Sequence, residues 1–317
     1  MRRLRAHLLA LIILTSLTGL SAFVLLAPAS AAKKAKSPFF GVTVPSHAAF
    51  RRDTAEFGHL PMVHTYYDGL PSADAWTRGL SGIAKSAVIV SFNAQPSAVL
   101  SGHDDKVLSH FFDTAPAGRT IYYSYVHEPE SQIEHGQFSA ASYRAAWAHV
   151  VRLADDAHKP NLHSMLILTA YDLKPGAHRN WKEYLPGGGI ISTLGWDAYP
   201  SYGARKLVPP AQFMGPAVAA SKAAGLPFGF AEFGVTDQKG RPAWLTKVGD
   251  YVISSGARFG VLFDSQPRGC PPLTLTDRPS IAAWRAVISR SANEPASPAG
   301  HRGVTAPVRP ATARVPV

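Results

Sequence analysis

The sequence predicts an α/β fold, a single-domain (β/α)8 TIM barrel, on three observations. Eight short apolar runs recur from residue 38 onward, spaced by a few tens of residues, room for a strand, a helix and two loops each. Helical periodicity fills several of the gaps. Each run ends in polar or aromatic residues, which in such barrels line the mouth at the strand carboxyl ends.

The runs begin near Pro38 (FFGVTV), Leu60 (PMVHTYY), Ser86 (AVIVSFN), Thr120 (IYYSYV), Leu162 (HSMLILTAY), Ile190 (ISTLGWDAY), Leu226 (PFGFAEF) and Arg258 (FGVLFDS). Between the fourth and fifth, Ser139 is a candidate N-cap, and Tyr143, Trp147, Val150, Val151 and Ala154 recur at helical spacing to Ala157. Helices are expected over Ala211–Ala224 and Pro242–Ser254, and Arg278–Ser289 closes the series with Ile281, Trp284, Val287 and Ile288 as its apolar stripe. Trp147, Trp244 and Trp284 therefore read as packing between helix and barrel. Gly187-Gly188-Gly189 lacks the Lys-Ser/Thr of a phosphate loop and reads as a turn before strand six. The strand ends place Thr43, His64 to Tyr67, Asn93, His127-Glu128, Tyr171-Asp172, Asp197 to Tyr199, Glu232 and Asp264 to Gln266 around one mouth.

The flanks read differently. Met1-Arg2-Arg3-Leu4-Arg5 is basic, an apolar segment runs from Leu8 to about Ala27, and Ala29-Ser30-Ala31 fits a small-residue cleavage site. Residues 1–31 are expected to be a secretory signal, or an uncleaved signal-anchor as the only link to a membrane. Either implies a secreted or cell-surface protein. Residues 32–37 read as a linker, 38–291 as the barrel, and the Pro, Ala and Arg-rich 292–317 as a disordered tail.

Composition excludes several classes. The formal net charge is +11, but residues 1–36 carry six Lys/Arg and no acid, and 292–317 carry three Arg against Glu294. The body is nearly balanced, which argues against nucleic acid as a partner. A single cysteine, Cys270, excludes an intramolecular disulfide, and 46% hydrophobic residues suffice for a core that needs none. No Gly-x-Ser-x-Gly elbow occurs. His127 and His135 flank an acidic loop without the spacing of His-Glu-x-x-His, so no metal and no cofactor is expected. The chain is expected to act as a monomer.

Two stretches share one grammar. Thr120 to Glu130 is an apolar, aromatic run that stops at His127-Glu128-Pro129, where proline ends the ladder. Leu226 to Gly234 likewise delivers Glu232 at its end. Either glutamate alone would read as a loop cap or an arginine partner. Two on strands four and seven, facing each other over a barrel mouth, are what retaining glycoside hydrolysis needs: an acid/base and a nucleophile about 5–5.5 Å apart. Burial among Tyr123, Tyr125 and His127 is expected to raise the Glu128 pKa. Trp196, Tyr199, Tyr202, Tyr66 and Tyr67 are candidates to stack on sugar faces, with Asp197 and Asn93 as polar contacts.

This layout resembles the retaining glycoside hydrolases of clan A. His127, where most of that clan carry Asn, is similar to glycoside hydrolase family 26, the β-mannanases and related β-glucanases and xylanases. The resemblance implies Glu128 as acid/base, Glu232 as nucleophile and His127 as a contact in the subsite around the reacting sugar. It also implies that Tyr199, in Gly-Trp-Asp-Ala-Tyr-Pro, hydrogen-bonds the nucleophile. The sugar-binding shell departs from the family: the loop Glu130 to Phe138 has no tryptophan, and strand eight ends Phe263-Asp264-Ser265 rather than in tryptophan. The expected substrate is a polysaccharide or oligosaccharide with β-links; the alternative is a non-catalytic carbohydrate-binding barrel.

Overall fold

The run Ala87–Phe92 reads Ala-Val-Ile-Val-Ser-Phe, and all six residues are buried, as a parallel strand covered on both faces must be. The other runs follow suit. In a computed structural model, which describes residues 37–83, 85–266 and 272–291, they become β1 (Phe39–Thr43), β2 (Met62–Tyr67), β3 (Ala87–Phe92), β4 (Ile121–Tyr125), β5 (Leu162–Thr169), β6 (Thr193–Asp197), β7 (Phe228–Phe233) and β8 (Phe259–Leu262). All pair in parallel in sequence order, and β8 returns to β1 with Phe39 opposite Phe259, closing the barrel. The expected signal segment, residues 32–36 of the linker, Cys270 and the tail from residue 292 lie outside the described residues.

Helices α1 (His47–Phe57), α2 (Pro96–Leu100), α3 (Asp105–Asp113), α4 (Glu130–Glu134), α5 (Ala140–Asp156), α6 (Pro210–Phe213), α7 (Gly215–Ala223), α8 (Arg241–Ser255) and α9 (Arg278–Ile288) lie between and after the strands. Ser139 does cap α5, its hydroxyl accepting from Ser142 N–H at 3.1 Å. Asp277 caps α9 in the same way through Ser280. The helix expected over Ala211–Ala224 breaks into α6 and α7 around Met214. The triple glycine is a turn as expected, with Gly188 and Gly189 at φ of 71° and 75°. No helix among the described residues is long and apolar enough to cross a membrane.

Strand alternation sorts side chains into two cores. Phe39, Met62, Ala87, Ile89, Tyr122, Met165, Ile167, Ala231, Phe259 and Val261 fill the barrel interior. The alternate residues, among them Val88, Val90, Tyr123, Tyr125, Trp196 and Phe230, pack outward with Trp147, Trp244 and Trp284 from the helices. Gly41 has to be glycine, because a Cβ there would sit 1.7 Å from the Met62 carbonyl oxygen of the neighbouring strand.

The ladder is irregular near the mouth of the barrel. Between β6 and β7 the register runs Trp196 opposite Phe230 and then Asp197 opposite Glu232, so β7 spends one more residue than β6. Ala231 lies in the interior core, and Glu232 follows it toward the mouth, while Phe230 and Phe233 both stay outside. The bulge re-aims Glu232, which strict alternation from Phe228 and Phe230 would have turned toward the helices.

Candidate active site

At the carboxyl ends of the strands lies a cleft of about 530 Å³ whose lining includes Glu128, Glu130, Tyr171, Asp197, Tyr199 and Glu232. Glu232 is held from two sides. Its Oε1 accepts from the Tyr66 hydroxyl at 2.6 Å and its Oε2 from the Tyr199 hydroxyl at 2.7 Å. Burial, and then the Glu232 charge itself, hold both phenols well above the ordinary tyrosine pKa, so they remain donors. Two donors on one carboxyl group, one to each oxygen, fix its plane at the wall of the cleft.

Glu128 reaches the cleft by a strained turn. Val126 and Glu128 adopt φ of 49° and 51°, left-handed values that cost roughly 1–3 kcal/mol each for residues with a Cβ. The packing around the turn holds it there. The Tyr143 hydroxyl of α5 reaches the carbonyls of Tyr125 and Val126 at 3.3 Å, Glu128 N–H donates to the Ile167 carbonyl at 3.3 Å, and Glu130 Oε1 accepts from Thr169 N–H at 2.8 Å. Glu128 is exposed to the cleft, yet the protein around its carboxyl still displaces solvent. Lost solvation raises its pKa well above the ordinary carboxylate range. The charge of Asp197 adds to this, His127 opposes it, and Glu232 and Glu130 raise it further. Glu130, itself buried, is raised to about 7 by the same loss of solvation.

His127, which precedes Glu128 in the chain, lies beside Glu232. Its Nε2 meets Asp197 Oδ2 at 2.5 Å and lies 3.7 Å from Glu232 Oε1, and its Nδ1 meets Ser91 Oγ at 3.1 Å. Asp197 is fully buried, and burial together with Glu232 and Glu130 pushes its pKa well above the ordinary value. Of the residues predicted from sequence, Glu128, Glu232, His127, Tyr199, Asp197 and Tyr66 come together here.

Trp196 does not, and this corrects the expectation of a sugar platform. In regular alternation two neighbours on one strand face opposite sides, and β6, unlike β7, spends no extra residue here, so an inward Asp197 sends Trp196 outward. There its Nε1 donates to Ser221 Oγ of α7 at 2.8 Å and its ring meets Trp181 edge-on at 5.7 Å. All six tryptophans, at positions 76, 147, 181, 196, 244 and 284, are buried. Asn93 is half-buried past the end of β3 and makes no hydrogen bond to the glutamates; its N–H donates to Gly69. Tyr67 is turned away, its hydroxyl 3.0 Å from where a Cβ on Gly79 would stand.

Sequence reasoning set His64 and Tyr171 at strand ends around the mouth without giving them a role, and passed over Ser91 and Glu130. His64 and Ser91 share the inward phase of Met62 and Ile89, which was readable. Tyr171, 55% exposed in the 3-10 turn after β5, borders the cleft with Lys174 5.2 Å over its ring.

Two groups of three acidic or histidine side chains lie close enough to share a cation among the described residues, with ligand atoms within 4.8 Å. One is His127, Asp197 and Glu232. Both Glu232 oxygens there accept from tyrosines and His127 is bonded to Asp197, so the donor set is already spent on hydrogen bonds. The other, Asp53, Glu56 and Asp264, lies on α1 and the end of β8, with Arg52 bridging its two aspartates.

No family model matches the chain, and no curated protein sequence does either. Solved structures do. The glycoside hydrolase family 26 domain of a Prevotella bryantii endo-β-mannanase/endo-β-glucanase aligns with a TM-score of 0.57 at 12% identity, covering 80% of this chain and 89% of that one. A family 26 β-mannanase from Bacteroides ovatus gives 0.57 at 13% identity over 81% and 90%. A modular endo-β-1,4-mannanase from Cellulomonas fimi gives 0.56 at 15% identity over 84% and 74%. The chain therefore has a barrel fold similar to that of family 26 glycoside hydrolases.

Proposed function

We propose that this protein is a retaining glycoside hydrolase that cleaves β-linked polysaccharide, of β-mannan or β-glucan type. The observation that carries the reading is the pairing of opposites in one cleft. Glu232 has each oxygen fixed by a tyrosine donor, and Glu128 is a carboxyl whose surroundings favour its proton. Two carboxyl groups in unlike surroundings, one oriented by donors and one that favours its proton, suit a nucleophile and an acid. The barrel likeness to enzymes named endo-β-mannanase and endo-β-glucanase supports the substrate class.

In the first step Glu128 protonates the departing glycosidic oxygen while Glu232 attacks the anomeric carbon from the opposite face. The C–O bond to the leaving sugar breaks and an ester to Glu232 forms. Glu128, now ionised, takes a proton from water, which attacks the same carbon and frees Glu232. The anomeric centre is inverted twice, so configuration is retained, and the two carboxyl groups are expected about 5–5.5 Å apart. His127 and Asp197 orient groups beside the reacting sugar and transfer no proton to it. With every tryptophan buried, Tyr171, Tyr199 and Phe263 supply the aromatic surface of the cleft. The protein acts alone, without cofactor or nucleic acid, and after export directed by residues 1–31.

The test is product analysis on β-mannan, β-glucan and xylan, with the anomer of the first-formed reducing end read by proton NMR. Release of β-anomer from wild type and none from Glu232→Gln is the expected result. Direct release of α-anomer would convert the mechanism to inversion. Binding of these glycans with no reducing ends released would make the barrel a carbohydrate-binding module.

A further inference from the structure

Beneath the two glutamates runs a chain of buried hydrogen bonds that the reaction does not consume. Ala231 carbonyl oxygen lies 3.2 Å from His64 Nδ1, and His64 Nε2 lies 2.8 Å from Ser91 Oγ. Ser91 Oγ lies 3.1 Å from His127 Nδ1, and His127 Nε2 lies 2.5 Å from Asp197 Oδ2. His64, Ser91 and Asp197 are all buried, and the two imidazoles stack 5.5 Å apart.

The chain has a direction because one end cannot donate. A carbonyl only accepts, so His64 Nδ1 carries the hydrogen. Burial, with His127 beside it, holds His64 neutral, which leaves its Nε2 an acceptor. The single Ser91 hydrogen is then committed to His64 Nε2. Ser91 Oγ can only accept from His127, so His127 Nδ1 carries a hydrogen. Tyr66 cannot reverse this. Its hydroxyl lies 3.1 Å from His64 Nδ1, but its one hydrogen goes to Glu232. With Nδ1 protonated, His127 Nε2 and Asp197 Oδ2 can bond only if they share one further hydrogen between them.

We propose that Ser91 and His64 are positioning residues that lock His127 in the Nδ1–H form, so that His127 and Asp197 together keep one shared hydrogen and stay neutral as a pair while the glutamates cycle. This rests on the hydrolase reading for its purpose, though not for its geometry. The groups that face the pair are His64 and Tyr66 from β2, Ser91 from β3, Glu128 and Glu130 after β4, Tyr199 after β6 and Glu232 from β7. If the shared hydrogen left, Asp197 would bear an uncompensated charge beside Glu128. Glu128 would then hold its proton more tightly, hindering its return to the base that activates water. The lock opposes that loss. A His127 carrying hydrogen only on Nε2 would turn a bare Nδ1 against a Ser91 oxygen with no hydrogen to offer.

The experiment uses the full chain with 15N-labelled histidine, reading His127 by NMR between pH 5.5 and 8.5, and the pH profile of kcat on a β-glycan. In wild type His127 Nδ1 should keep its hydrogen across the range. Ser91→Ala should release it by pH 8, since the acceptor that required the hydrogen is gone, and should move the alkaline limb of kcat down by about one pH unit or more, the worth of an unmet buried acceptor. Ser91→Cys, isosteric and a far weaker hydrogen-bond partner, gives the same reading should the alanine variant fold poorly. Ser91→Thr should restore wild-type behaviour. His64→Leu should release the Nδ1 hydrogen even with Ser91 in place, because the serine is then free to donate to His127; a purely structural role for His64 would not change the tautomer. A bare Nδ1 in wild type at pH 8, or a tautomer unmoved by Ser91→Ala and His64→Leu, overturns the proposal. A locked tautomer in a protein that cleaves no glycan leaves the lock standing and sinks the hydrolase instead.

Discussion

Replacing Asp53 by asparagine should change how stability depends on pH, by an amount that can be worked out from its surroundings. Asp53 sits on α1 with no exposed side-chain surface. Arg52 takes its Oδ1 at 2.6 Å, its Oδ2 has no hydrogen-bond partner, and Asp264, equally buried, shares the same arginine. Burial first, then the Asp264 charge, push the Asp53 pKa up to about 7 from 3.8 against the pull of Arg52. A folded pKa above the unfolded one means the native chain binds more protons between about pH 4 and pH 7. This stabilisation is fully present below about pH 4 and is lost as pH rises through about 7. The gap, at about 1.4 kcal/mol per pH unit, sets a ceiling of about 4 kcal/mol. Asp264, raised to about 6, competes for the same proton, so about half that is the working figure. For a domain of this size about 2 kcal/mol is roughly 4–8 °C in Tm. Glu130 and Asp172, raised to about 7 and about 6, tilt wild type the same way, so the informative quantity is the difference between proteins. Asparagine keeps the Oδ1 acceptor and does not titrate. By thermal melts from pH 4.5 to 8, Asp53→Asn should gain on wild type by those degrees as pH rises. Parallel Tm curves would refute the reasoning.

Other substitutions test the site and the packing. Glu232→Gln should abolish turnover while leaving oligosaccharide affinity, measured calorimetrically, within roughly tenfold of wild type, since the amide is nearly isosteric. Glu128→Ala should spare the first step for substrates with good leaving groups, and azide should restore turnover by replacing the unassisted water; no azide effect would remove Glu128 as acid/base. Trp196→Phe should lower stability in denaturant melts by about 1–3 kcal/mol, through the lost bond to Ser221 and the smaller ring, with KM unchanged because the ring is buried against α7 and not in the cleft. Gly41→Ala should fail to fold or lose most of its stability by circular dichroism, because its Cβ would stand 1.7 Å from a backbone oxygen that cannot move without parting β1 from β2.

Much of the candidate site was legible in the chain, and the misses have physical causes. Glu128 and Glu232 were found because an apolar run that ends in a carboxylate is local information. So was the Ser139 cap, which needs only Ser142 three residues on. The tryptophan was misplaced although the remedy was also local: once Asp197 faces the cleft, period two sends Trp196 to the helices. The strained turn at Val126 and Glu128 carries no glycine to announce it, and it persists because Tyr143, eighteen residues past Tyr125, braces it from α5.

The sequence alone determined which segments are strands, that all of them can be covered on both faces, and which chemical groups stand at their ends, because alternation, proline and capping act over a few residues. Only the tertiary structure decided which of those ends meet. Tyr66 and Glu232 are 166 residues apart in the chain, and Tyr199 approaches the same carboxylate from the other side. The extra residue of β7 that turns Glu232 inward has meaning only in register with β6, and register is a property of two strands. The His64–Ser91–His127–Asp197 chain likewise draws one side chain from each of four strands or strand ends. Closure of the barrel brings these groups within hydrogen-bond distance of one another, and no single stretch of sequence records closure.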